Sequence, residues 1–303
     1  MPPARRELAI GLSCAVGIVC IWTTFLLTTR FSAKGAFSAW DLMALRFGIS
    51  GLLMLPLVLR RGLAGLSPWQ ALVLMATAGP VFSLSAFSAL ALAPAAHAGV
   101  LMPGTLPLWT AILTAVVMHQ SLSRRQSISL ALVLAGVAMI GWESIAGEAA
   151  AAASPLQWLG DVLFMTASFS WAIYTVLARR WGVRPLDAAA VVCVTAGAAY
   201  MPVYLLALPI TLHLAPAWEI AVQAVLQGVI STIGTLLLFT RAAQALGAPT
   251  LTLVTSIVPA FVALLAVPLL GEPLTLAAGL GVALVVLGIA ATVGGLRALP
   301  AGR

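Results

Sequence analysis

Residues 106–123 read LPLWTAILTAVVMHQSLS, and residues 258–275 read VPAFVALLAVPLLGEPLT. Each stretch opens on an apolar residue followed by proline and runs through a nearly unbroken apolar segment. Each then ends in a short polar group, His119-Gln120-Ser121-Leu122-Ser123 in the first and Gly271-Glu272-Pro273-Leu274-Thr275 in the second. The two lie 152 residues apart, and the same offset pairs Phe87 with Phe239 and Gly136 with Gly288. Earlier in each half, Asp41 pairs with Asp187 and Pro56 with Pro202 at an offset of 146, and Trp22 pairs with Trp171 at 149. Any single match could arise by chance. Their common order reads as a duplication, with residues 1–148 as the first copy and 149–303 as the second.

The composition says where such a chain can live. Of its 303 residues, 62% are hydrophobic and 8% charged, against about 25% charged in a soluble domain. The mean hydropathy is +1.11, and too few charges remain to build a surface that water can wet. The apolar runs are continuous in Leu, Ala, Val and Gly, without the period-two alternation of a membrane β-barrel, so helices are the spanning structure they can form. Ten runs are long enough for the roughly 20 residues that cross a bilayer core. They are 7–29, 38–59, 69–92, 95–118, 125–143, 156–178, 186–210, 217–240, 249–270 and 275–296. The expected fold is an all-α polytopic membrane protein, and the first run reads as a retained span rather than a removed leader.

A net charge of +7 could suggest a nucleic-acid partner. The arginines, however, stand in short pairs between apolar runs (Arg5-Arg6, Arg60-Arg61, Arg124-Arg125, Arg179-Arg180), which is a topology signal and not a phosphate footprint. With both termini cytoplasmic, twelve basic residues fall on the inner side and only Arg30, Lys34 and Arg46 toward the outer side. Five spans per copy is an odd number, so the two copies are expected to lie in opposite orientations. Inverted repeats around a midplane site are a transporter architecture. Cys14, Cys20 and Cys193 fall inside apolar runs with no metal-ligand spacing, and no disulfide framework is expected.

The first span's Ile21-Trp22-Thr23-Thr24-Phe25, the second span's Leu45-Arg46-Phe47 and the twin proline-to-Gly-Glu-Pro-Leu-Thr segments resemble the EamA family of the drug/metabolite transporter superfamily. The resemblance runs from about residue 10 to 296. The first copy departs from the pattern, carrying Gln120 where the family usually has Glu, while the second keeps Glu272. A Trp-rich, otherwise uncharged interior is similar to that of the amino-acid exporters of the superfamily. The resemblance implies export of amino acids, aromatic or otherwise neutral, through a cavity framed by the first four spans of each half.

The residues themselves offer no catalytic constellation, no metal site and no cofactor motif. Candidate interruptions of the spans are Pro80 after Gly79, Pro103, Pro107 and Pro259, since proline removes a backbone donor and frees a carbonyl one turn earlier. Ser83, Thr105, Thr232, Thr235 and Ser256 could bind solute there, or simply bond their own backbone. Trp22, Trp109, Trp171 and Tyr174 lie deep in their runs, where rings could wall a solute cavity or pack between helices. His97 opens the fourth span and could titrate at the outer mouth, or serve as a satisfied structural histidine. Arg46 is the costliest residue to bury, and Asp41 is its expected partner. Asp161 and Asp187 near span ends and Glu272 in a loop leave no mid-span proton carrier.

Small residues at helical spacing (Ala131 and Ala135, Ala277 and Gly281) could join the two halves or two molecules of a homodimer. The reading is an inner-membrane exporter of amino acids or similar amphipathic metabolites, its partners being a small solute and the lipid bilayer. Export of drugs or other metabolites, and an intramembrane lipid-modifying enzyme, are the alternatives.

Overall fold

The computed structural model describes residues 3–118, 124–146, 155–246, 251 and 254–294. Gln120, Glu148, Arg297 and Arg303 lie outside them. Among the described residues the chain is helical throughout, without a strand. We label the helices α1 (Pro3–Lys34), α2 (Ala39–Arg61), α3 (Pro68–Leu92), α4 (Ala95–Val117), α5 (Arg124–Ala146), α6 (Gln157–Arg180), α7 (Pro185–Ala207), α8 (Ala217–Leu246), α9 (Val258–Leu270) and α10 (Leu276–Gly294). Seven of them, α1 to α4 and α6 to α8, are long and apolar enough to cross a membrane, while Ser127–Trp142, Val258–Leu270 and Leu276–Ala291 are shorter apolar helices. Large aliphatic side chains stand on the outside, Leu206 at 87% exposed and Leu276 at 80%. Such a surface suits hydrocarbon and not water.

Local signals set the helix ends. Ser38 caps α2 in a reciprocal box with Asp41, and Ser67 does the same for α3 with Gln70. These boxes satisfy amides that helix starts leave open. Gly271 ends α9 in the left-handed region at φ 65°, where a residue without Cβ carries no penalty. Two boundaries differ from the sequence expectation. The first helix continues through Arg30 to Lys34, so these cations belong to a helix and not to a loop. The ninth begins at Val258 after a turn at 256–257, because Pro259 suits a helix's first turn and not its interior.

The most extensive helix packing joins early helices to late ones: α5 with α10, α2 with α7, α3 with α6 and α1 with α8. Glycines set all four of these contacts, in three reciprocal sets. A Cβ on Gly197 would stand 2.7 Å from the Phe47 carbonyl oxygen, and one on Gly51 would stand 2.9 Å from that of Cys193. Those four residues are two pairs at the 146 offset, so α2 and α7 meet reciprocally. Gly136 likewise closes on the Gly281 oxygen at 2.7 Å and Gly288 on the Ser129 oxygen at 3.0 Å, at the 152 offset, where Ser129 also donates a hydrogen bond to the Gly288 carbonyl. Gly11 against Ala245 and Gly160 against Ala93 form a third such set, joining α1 to α8 and α6 to the end of α3. Small residues of this kind let helix backbones approach where lipid offers no hydrophobic drive. Gly281 thus serves contact within one chain, while Ala131 and Ala135 remain on the outer face.

Candidate functional site

Three helices are interrupted in their middles. In α3, Thr77–Val81 is π-helical and Gly79 leaves helical geometry (φ −94°, ψ −107°) ahead of Pro80. In α4, the π-helical Val100–Gly104 contains Pro103, and Pro107 falls just after it at the start of the straight segment Leu106–Met118. In α8, Leu226–Gly234 is π-helical with no proline at all. Nothing in the sequence marked that third interruption beyond Gly228 and Gly234. Wide turns leave backbone groups short of their usual partners, and side chains answer some of them. Thr232 donates to the Gln227 carbonyl at 2.8 Å, and Ser170 donates from α6 to the Thr77 carbonyl at 2.5 Å.

Beside the α3 interruption lies a chain of rings. Phe82 meets Trp171 at 4.8 Å between centroids, and Trp171 meets Tyr174 at 5.2 Å. Farther along α6, Phe169 meets Trp109 of α4 edge-on at 5.2 Å. The Trp109 Nε1 and the Ser83 Oγ, the latter on fully buried Ser83, have no hydrogen-bond partner, and neither has the buried Oγ1 of Thr235. Thr105 donates to the Leu101 carbonyl at 2.7 Å, and its hydroxyl is also hydrogen-bonded with that of Ser168 at 2.9 Å. Ser256 is buried in the turn before α9. Trp22 stands apart from both ring groups. It is half-buried, between the main core and a smaller cluster of Ala15, Ile18, Ala242 and Leu251. The structure therefore gathers Trp171, Tyr174 and Ser83 near one interruption, Thr105 and Trp109 along the facing side of α6, and leaves Trp22 separate.

The expected Asp41–Arg46 pair does not form. Asp41 accepts from Ser38, from the Tyr204 hydroxyl at 2.5 Å and from Thr211. Five residues along a helix turn the two side chains to different faces. Arg46 instead points inward among Phe25, Phe47 and Phe82, with its guanidinium carbon 5.7, 5.9 and 5.7 Å from their ring centres. Its hydrogen-bond partner is the neutral Gln227 Oε1 at 3.5 Å, and its Nε has none. The sequence analysis named Arg46 for its cost but not for this setting. The signal available there was its lack of an acid one helical turn away.

His97 is buried against Asp161 of α6, Nδ1 to Oδ1 at 2.9 Å, which engages it within the protein. Glu272 lies in the loop between α9 and α10, as expected, yet it is buried as well. It accepts from Arg30 Nε at 2.7 Å, from the Ala95 amide at 2.8 Å and from Lys34 at 3.4 Å. Nearby, Glu219 accepts from Ser32, and Gln223 and Gln227 continue a polar ladder along α1 toward Arg46. At the opposite, arginine-rich end, an open cleft of about 430 Å³ is lined by Arg61, Arg184 and Asp187 among others. Among the described residues no three His, Cys, Asp or Glu side chains are grouped as metal ligands.

Helices that cross a membrane, broken at mid-length beside buried aromatic and polar groups, define a class: multi-pass carriers of small solutes. The chain belongs to the EamA-like transporter family, which matches it twice, over residues 9–142 and 158–294. That family consists of membrane transporters of small metabolites within the drug/metabolite transporter superfamily, and it lends no support to the lipid-modifying enzyme alternative. A solved structure described only as "Crystal structure of protein" is similar over 98% of this chain and 99% of its own, with a TM-score of 0.62 and 24% identity. At that identity the likeness concerns the fold alone. A search of the curated proteins found no significant match.

Proposed function

We propose that the chain is an inner-membrane exporter of amino acids or similar small amphipathic metabolites. It works by alternating access between two inverted five-helix repeats, residues 1–148 and 149–303, with ten spans and both termini cytoplasmic. The observation that carries the reading is the reciprocity of the glycine contacts. Gly51 with Gly197, Gly136 with Gly288 and Gly11 with Gly160 are matched by offsets of 146, 152 and 149, and each member meets the counterpart of its twin's neighbour. Contacts related in this way support two halves arranged about an axis in the membrane plane, and such halves can exchange conformations around a midplane site. The ring chain of Phe82, Trp171 and Tyr174 beside the α3 interruption is the place where a solute's apolar body would lie.

Flux of labelled amino acids into liposomes carrying the purified protein tests the reading. Uptake by the wild type should be competed by aromatic or branched amino acids. Trp171→Ala should lower it severalfold, and Trp22→Ala, which lies outside the ring chain, should change it less. Absence of flux for every amino acid with correctly inserted protein would sink the substrate assignment. Equal loss in both variants would move the pocket away from Trp171.

A further inference from the structure

We propose that Arg46 is the anchor for an anionic carboxylate on the transported solute, so that the site takes a carboxylate joined to an apolar body. This deepens the solute-site reading above and rests on it. The side chain is buried, at 6% exposed, and among the described residues it has no acidic partner. Arg30, Arg61, Arg184 and Arg241, by contrast, each reach a carboxylate within 2.8 Å. A cation taken out of water is costly unless it is paired, and the flanking rings return only part of that cost. The Gln227 contact at 3.5 Å is long and neutral, and Nε is left without a partner.

A guanidinium with free donors in a low-dielectric setting matches the fork of a carboxylate. Its surroundings also set the rest of the ligand. Phe82 touches both parts of the site, 5.7 Å from the guanidinium on one side and 4.8 Å from Trp171 on the other. The charge and the aromatic wall are therefore one ring apart. A carboxylate held at Arg46 would lay its apolar substituent against Phe82 and Trp171. Gln227, in the proline-free π-helical stretch of α8, is placed to yield its place on Arg46 to the incoming anion, because it already donates to Thr29 at 2.8 Å and to Gln223 at 3.1 Å.

The test is binding of tritiated 3-phenylpropionate to the full-length protein in nanodiscs, competed by 3-phenylpropanamide and by phenethylamine. Both competitors keep the ring and lack the carboxylate. Wild type should prefer the carboxylate by at least about tenfold, the scale of a charged hydrogen bond. Arg46→Gln should abolish the preference, and Arg46→Lys should retain part of it. A folded Arg46→Gln protein that keeps the preference would overturn the proposal, as would a wild type that binds the amide equally well or fails to bind the carboxylate. If Arg46→Gln does not fold, the wild-type comparison and Arg46→Lys decide. Amino-acid flux in liposomes is read separately. Amino-acid flux without carboxylate preference leaves the amino-acid exporter and removes the anchor, whereas carboxylate binding without such flux leaves the anchor and removes the amino-acid assignment.

Discussion

Asp41 and Asp187 are the third residues of α2 and α7, twins at the 146 offset, and they stand at opposite ends of the bundle. Both are buried, yet their partners differ. Asp41 is held by hydroxyls and two amides from Ser38, Tyr204 and Thr211. Asp187 is held by Arg61 at 2.8 Å and Arg184 at 2.7 Å, whose side chains are half-exposed or more. The same contrast extends around each acid. At the Asp41 end, buried Glu272 gathers buried Arg30 and an α4 amide, with half-exposed Lys34 at the edge. At the Asp187 end, Arg241 meets Glu7 near the surface, at 37% and 54% exposed. Buried charge pairs are expensive to break, and exposed ones are screened and nearly free to release. One end is thus held by buried polar contacts and the other by contacts that part easily, and under the alternating access proposed above the arginine-rich end would open first.

That contrast can be broken at four points. Glu272→Gln should be the most damaging, costing about 3 kcal/mol in unfolding measured in detergent, since it leaves Arg30 buried without its acid. Asp41→Asn should cost about 2 kcal/mol by the same measurement, because a carboxylate accepting several short hydrogen bonds is replaced by an amide that must turn a donor toward one of them. Arg61→Gln should cost about 1 kcal/mol, as Asp187 keeps Arg184. Glu7→Gln should stay within about 0.5 kcal/mol, and whatever loss it shows should shrink further in high salt. If Glu7→Gln proved as costly as Glu272→Gln, the two ends would be equally fastened and the order of opening would need another description.

Much of the architecture was legible in the chain because membranes leave few choices. Long apolar runs must be helices there, and the glycine, proline and aspartate offsets survive as marks of the duplication. The interior was less legible. Arg46 and Asp41 share one short stretch and so read as a pair, whereas the neighbours of Arg46 are Phe25, Phe82 and Gln227, which no local spacing connects. Glu272 sits in a segment that reads as a loop, and only tertiary contact with α1 and α4 buries it. The Leu226–Gly234 interruption has no proline to announce it. Trp22 and Trp171 are equivalent by offset but not in surroundings, since only Trp171 has ring neighbours.

The pairing of early helices with late ones also bears on how the protein is made. A ribosome that has delivered only α1 to α5 has produced five helices whose closest partners do not yet exist. The glycine faces of α2 and α5 then meet lipid, or a chaperone, until α7 and α10 arrive. The main buried core draws on both halves, so assembly is expected to finish late and all together, as when contacts are distant in the chain. Two fragments cut between α5 and α6 and expressed in the same cell should find each other and form the bundle. Either one expressed alone should be degraded.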